Sequence, residues 1–98
     1  SWIPMDEDKA MKNLKITSIA KEDALAYFKK YSDYRGPFDF AICVVEGSKM
    51  HGVIALNADG KTFSLGHSWT DGNAFIGSLL YGAAWRSAKA MGYKQVII

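Results

Sequence analysis

The chain carries few side chains able to move a proton near neutral pH: two histidines and one cysteine among 98 residues. His67 is the most useful of them. An imidazole with a pKa near 6.5 suits taking a proton from an ammonium group or from a bridging water. It sits in Thr62–Trp69, where Phe63, Leu65, His67 and Trp69 alternate with Ser64, Gly66 and Ser68. That alternation also fits a buried, hydrogen-bonded structural histidine, so both readings stand. His67 and Ser68 are the candidate catalytic residues. With Asp71 they establish no nucleophilic-triad geometry, since adjacent strand residues point to opposite faces. His51 follows a turn and reads as a surface residue. Cys43 lies in the middle of an apolar strand and reads as core. Tyr81 lies within a helical pattern and reads as packing, and Arg86 and Lys89 as a solvated helix face. Trp69, Trp85 and Tyr93 read as core aromatics.

The elements that position these groups follow from periodicity. Residues 14–19 alternate as a half-buried strand. Ala24, Leu25, Phe28 and Tyr31 mark a short helix ending near Ser32, with Glu22 and Asp23 near its start, where acids suit the helix dipole. Asp33-Tyr34-Arg35-Gly36-Pro37 is a loop. Residues 39–45 form a central strand, with Phe40, Ile42 and Val44 on one face and Ala41, Cys43 and Val45 on the other. Glu46-Gly47-Ser48-Lys49 is a hairpin turn, 50–56 a third strand, Asn57-Ala58-Asp59-Gly60 another hairpin turn, and 62–69 a fourth strand. After the turn Asp71-Gly72-Asn73, apolar residues recur at helical spacing from Ala74 to Met91, and Gly92 ends that helix. Gln95-Val96-Ile97-Ile98 is a strand apolar on both faces. The order is β-α-βββ-α-β, an α+β fold with an antiparallel meander. Because parallel neighbours need a crossover, the fifth strand is expected beside the fourth and parallel to it.

Composition sets outer bounds. Hydrophobic residues at 49% and charged residues at 22% fit one packed domain, and a net charge of +2 is too weak to argue for nucleic acid. A single cysteine excludes an internal disulfide framework and fits a reducing, cytoplasmic setting. Neither Cys-x-x-Cys nor a His-rich tract is present to argue for zinc. The sequence has no run of membrane-spanning length and no signal peptide, so no membrane partner is expected.

The segment Thr70–Ile98 resembles the acetyl-CoA-binding core of the GCN5-related N-acetyltransferases. The family's loop pattern, Arg/Gln-x-x-Gly-x-Gly/Ala, falls on Gly72-Asn73-Ala74-Phe75-Ile76-Gly77. Gly77 matches; Gly72 and Phe75 stand at the Arg/Gln and first glycine positions. Thr70-Asp71-Gly72 and Leu80-Tyr81-Gly82-Ala83-Ala84-Trp85-Arg86 resemble a phage-associated branch, in which a glutamate usually stands where this chain has Ser64. The resemblance implies a three-layer α/β-type arrangement around the sheet. It implies that the fourth strand's backbone holds the pantetheine arm of acetyl-CoA. The pyrophosphate would sit at the helix start, on Gly72, Asn73, Ala74, Ile76, Gly77 and Ser78, where unpartnered N–H groups and the dipole favour anions. It also implies that His67 stands where many members keep a carboxylate base. The expected activity is acetyl transfer to an unidentified amine. Two alternatives are a catalytically silent interaction module and a relative of the phage Mom DNA-modification protein.

Residues 1–13 read as a tail, with Ser1 rather than Met at its head and Met5 or Met11 as alternative starts. The single domain is expected over 14–98. The family continues with a helix and two strands after the fifth strand, so the apolar strand at 95–98 is expected to need cover. A homo-oligomer, most simply a two-fold dimer through the fifth strand or the long helix, would supply it, with Trp2-Ile3-Pro4 as a candidate covering segment.

Overall fold

A computed structural model describes residues 13–97. The tail residues Trp2-Ile3-Pro4 and the last strand residue, Ile98, lie outside the described residues. The elements run β1 (Lys15–Ile19), α1 (Lys21–Tyr31), β2 (Phe40–Glu46), β3 (Lys49–Asp59), β4 (Thr62–Thr70), α2 (Ala74–Ala90) and β5 (Val96–Ile97). They form an α+β domain with one sheet in the order β1-β2-β3-β4-β5. β1 to β4 pair antiparallel, and β5 runs parallel to β4, joined through α2 as expected.

The first hairpin turns at Glu46-Gly47-Ser48-Lys49 as expected, with Glu46 paired to Lys49; the second lies two residues later than Asn57-Ala58-Asp59-Gly60, with Asp59 paired to Thr62. β3 therefore runs three residues past Leu56. Asp39 supports that extension: its N–H donates to the Leu56 carbonyl at 2.9 Å and its Oδ2 accepts from the Ala58 N–H at 2.8 Å. β1 is an edge strand, exposed along most of its length.

The sheet has two covered faces. α2 packs on one, where Ile42, Val44, Ile54, Leu56 and Phe63 meet Ile76, Leu80, Ala83, Ala84 and Ala88. α1 packs on the other, where Ala24 and Phe28 meet Phe38, Ala41, Cys43, Val53 and Ala55. The two faces of β2 separate as the alternation predicts. Gly52 allows α2 to lie close: a Cβ there would come 2.7 Å from Ile76 Cγ2, 3.0 Å from Leu80 Cδ1 and 3.2 Å from the Trp69 carbonyl. α2 ends at Ala90 with Met91 as its C-cap, and Gly92 takes φ 93°, as a C′ glycine should. Its N–H and that of Tyr93 donate back to Lys89 and Ala88 at 3.0 and 2.9 Å. No helix among the described residues is long and apolar enough to cross a membrane.

Candidate functional site

β4 is where the sheet loses regularity. Leu65 pairs with Leu56 and His67 with Ala55, so Gly66 is an extra residue, a β-bulge. The bulge changes which residues share a face. Phe63 and Leu65 stay with Leu56 in the core under α2, whereas His67 and Trp69 pair with Ala55 and Val53 on the α1 face. The expectation that Phe63, Leu65, His67 and Trp69 share one face is therefore corrected. Strict alternation holds only in an unbroken ladder. Crowding explains the glycine: a Cβ at position 66 would meet the Tyr34 hydroxyl at 2.8 Å and Asn57 Nδ2 at 3.1 Å.

On its other edge β4 keeps β5 for two pairs, Phe63 with Val96 and Ser64 with Ile97. Beyond Ser64 no described residue pairs with this edge. A cleft of about 380 Å³ opens beside it, lined by Ile54, Leu65, Gly66, His67, Ser68 and Tyr81. Tyr81 is 45% exposed at its rim rather than packed in the core.

His67 stands in an aromatic slot. Its ring stacks on Tyr34 at 4.7 Å and 12°, and Phe28 meets it edge-on at 5.2 Å. It makes no side-chain hydrogen bond among the described residues, so the expectation of a hydrogen-bonded structural histidine is corrected: aromatic rings hold it instead. Tyr34 is fixed by its hydroxyl, which donates to the Pro37 carbonyl at 3.0 Å, and burial pushes its pKa up. Ser68 pairs with Ile54 and so belongs to the opposite, α2 face. His67 and Ser68 thus flank one strand edge from its two sides.

The start of α2 lies at the far end of β4. Asn73 caps it: Asn73 Oδ1 accepts from the Phe75 N–H at 2.9 Å and its carbonyl from the Ile76 N–H at 3.0 Å. Asp71 Oδ1 accepts from the Asn73 N–H, and Thr70 Oγ1 from the Gly72 N–H, both at 3.3 Å. Gly72, Asn73, Ala74 and Ser78 are exposed together. Gly77 faces open space, where an added Cβ meets nothing within 4 Å. The Ile76 side chain is buried, so only its backbone belongs to this surface. The Phe75 ring is 39% exposed.

Sequence reasoning missed a third cluster. His51, expected as an ordinary surface residue, has only 12% of its side chain exposed and is held at both ring nitrogens. Nδ1 lies 2.6 Å from Asp71 Oδ2 and Nε2 lies 3.0 Å from Glu46 Oε1. The Asp71 N–H also donates to the His51 carbonyl at 2.9 Å. These two carboxylates, Asp71 first, hold the imidazole pKa above its usual range, and His51 holds the Asp71 carboxyl below its own. Two bulges create the cluster. Val44 pairs with Gly52 and Val45 with Met50, which leaves His51 as the extra residue of β3. The Gly66 bulge shifts β4 by one, so Asp71 rather than Thr70 follows on opposite His51. Glycines at 52 and 66 inside strand patterns were the available signal.

The chain was compared with protein-family models, curated proteins and solved structures, and none matches.

Proposed function

We propose that the protein binds an acyl-coenzyme A beside β4 and transfers the acyl group to an amine. The β4 edge next to the cleft, which no described residue pairs beyond Ser64, carries this reading. Unpaired strand N–H and C=O groups can pair with the two amides of a pantetheine arm as they would with another strand. The family resemblance at Thr70–Ile98 points the same way. The arm would run along Leu65–Thr70 toward the exposed surface of Gly72, Asn73, Ala74, Gly77 and Ser78. Phosphate oxygens there would take over amides now held by Asp71 and Asn73 side chains, with the Ile76 N–H beneath them.

In the transfer step the amine nitrogen attacks the thioester carbonyl, the new C–N bond forms, and the C–S bond breaks. His67 accepts the proton that the amine loses. Ser68 and Tyr81 supply hydroxyls on the other side of the strand edge for the departing thiolate. This reading belongs to a reducing, cytoplasmic setting.

Isothermal titration with coenzyme A tests the binding. Binding that strengthens as salt is lowered is expected. Gly77→Asp should abolish most of it by placing charge and bulk on the surface, whereas Lys89→Asp should leave it nearly unchanged. His67→Ala should keep the binding and lose about 10²–10⁴-fold in transfer rate. No coenzyme A binding by the parent protein would favour an interaction module. Tyr81 and Trp85, exposed one turn apart on α2 at 45% and 43%, are the observation behind that second reading. A second copy of the chain is the partner we propose for them, with light scattering as its check.

A further inference from the structure

We propose that His51 is a pH-dependent latch that positions the turn Asp71-Gly72-Asn73, and through it the start of α2. The latch joins three segments: the end of β2 through Glu46, the bulged start of β3 through His51, and the β4–α2 turn through Asp71. Its chemistry follows from proton counting. Two carboxylates accept only, so both ring nitrogens must donate, and only the imidazolium has two N–H groups. The neutral ring must turn a lone pair toward one carboxylate and lose that contact. The shorter contact, to Asp71, is the one to be kept, and Glu46 the one to be released.

The charged groups around the ring are Glu46 from β2, Lys49 from β3 and Asp71 from the turn, with Lys49 opposing the two carboxylates. Asp71 transmits the state of the ring. Its second oxygen holds the Asn73 N–H, and Asn73 caps α2 through the Phe75 N–H. The sign follows from linkage. His51 has a raised pKa, so its contribution is complete below about 6.5 and is lost as pH rises through the raised value. Asp71 has a lowered pKa, so its contribution is complete above about 3.9 and is lost as pH falls through the lowered value. The latch is therefore closed at mildly acidic pH and opens on the alkaline side. Its consequence for ligands rests on the acyl-CoA reading: the imidazolium offsets Asp71 beside the surface assigned to phosphate.

The test uses the ligand-free protein, so it is independent of whether coenzyme A binds. A pH titration followed by NMR should show both His51 ring nitrogens protonated at pH 6. The His51 midpoint should exceed about 6.5, and the Gly72, Asn73 and Phe75 amides should move with that same midpoint. Asp71→Asn should lower the His51 midpoint toward about 6.5, and Glu46→Gln should lower it less. His51→Gln should abolish the titration of the turn amides while the Phe28 and Phe63 ring signals stay unchanged, which separates the latch from unfolding. A His51 midpoint at the free-imidazole value, or turn amides that ignore it, would overturn the proposal.

Discussion

Under α2 the sheet presents Ile42, Val44, Ile54, Leu56 and Phe63; under α1 it presents Ala41, Cys43, Val53 and Ala55. The first set is bulky and mostly branched, and it meets small helix residues such as Ala83, Ala84 and Ala88. The second set is small, and the space is filled by rings: Phe28, Phe38, Tyr34, His67 and Trp69. The buried residues on the α2 face carry no polar side chain. The α1 face keeps its polar tips at the margin, where Tyr34 reaches the Pro37 carbonyl and His67 borders the cleft. Both faces fix a helix, but only the α1 face holds an imidazole ring, His67, between aromatic neighbours.

The sharpest test of that contrast removes one buried ring from each face. Phe63→Ala and Phe28→Ala should each cost about 3–5 kcal/mol in denaturant unfolding. Only Phe28→Ala should change the His67 ring signals, since Phe28 touches that ring and Phe63 meets Phe40 and Tyr93 instead. Equal disturbance of His67 by both would break the comparison. A smaller effect is expected from the two glycines. Gly52→Ala forces α2 away from backbone and core atoms and should cost about 1–3 kcal/mol. For a domain of this size each kilocalorie lowers Tm by about 4–8 °C. Gly66→Ala should lower Tm less, because its two tightest neighbours are side-chain ends, Tyr34 Oη and Asn57 Nδ2, which can shift at the cost of one hydrogen bond. The reverse order in thermal melts would mean that the α1 face is the more rigid one. The smallest change is Tyr34→Phe, which removes one partly exposed hydrogen bond worth about 0.5–1.5 kcal/mol. His67 should stay stacked in that variant, as its ring shifts would report.

Element order, the parallel final strand and the helix stop at Gly92 were all legible, because each rests on local pattern: period two, period 3.6, a crossover length, a glycine after the last apolar turn. The burial of Cys43 was legible for the same reason. The facing of His67 was not, because one inserted residue reverses parity and leaves composition untouched. The partners of His51 were hidden for a related reason. Counting back from the hairpin at Gly60 places Thr70 opposite His51, and only the bulge brings Asp71 there. Tyr81 misled because helical spacing does not show that its side chain lies at the rim of a cleft rather than over a strand.

Gly66 makes β4 one residue longer than its partner strand requires, and that surplus can be subtracted. Deleting it leaves Leu65 opposite Leu56 and His67 opposite Ala55, so every pairing on either side survives and no side chain changes face. What disappears is curvature: a regular ladder bends and twists less than a bulged one. The shortened chain is therefore a control that no substitution supplies. It should retain both cores and the contact between His51 and Asp71, yet carry a straighter strand that lies flush with β5 and narrows the opening beside Ser68.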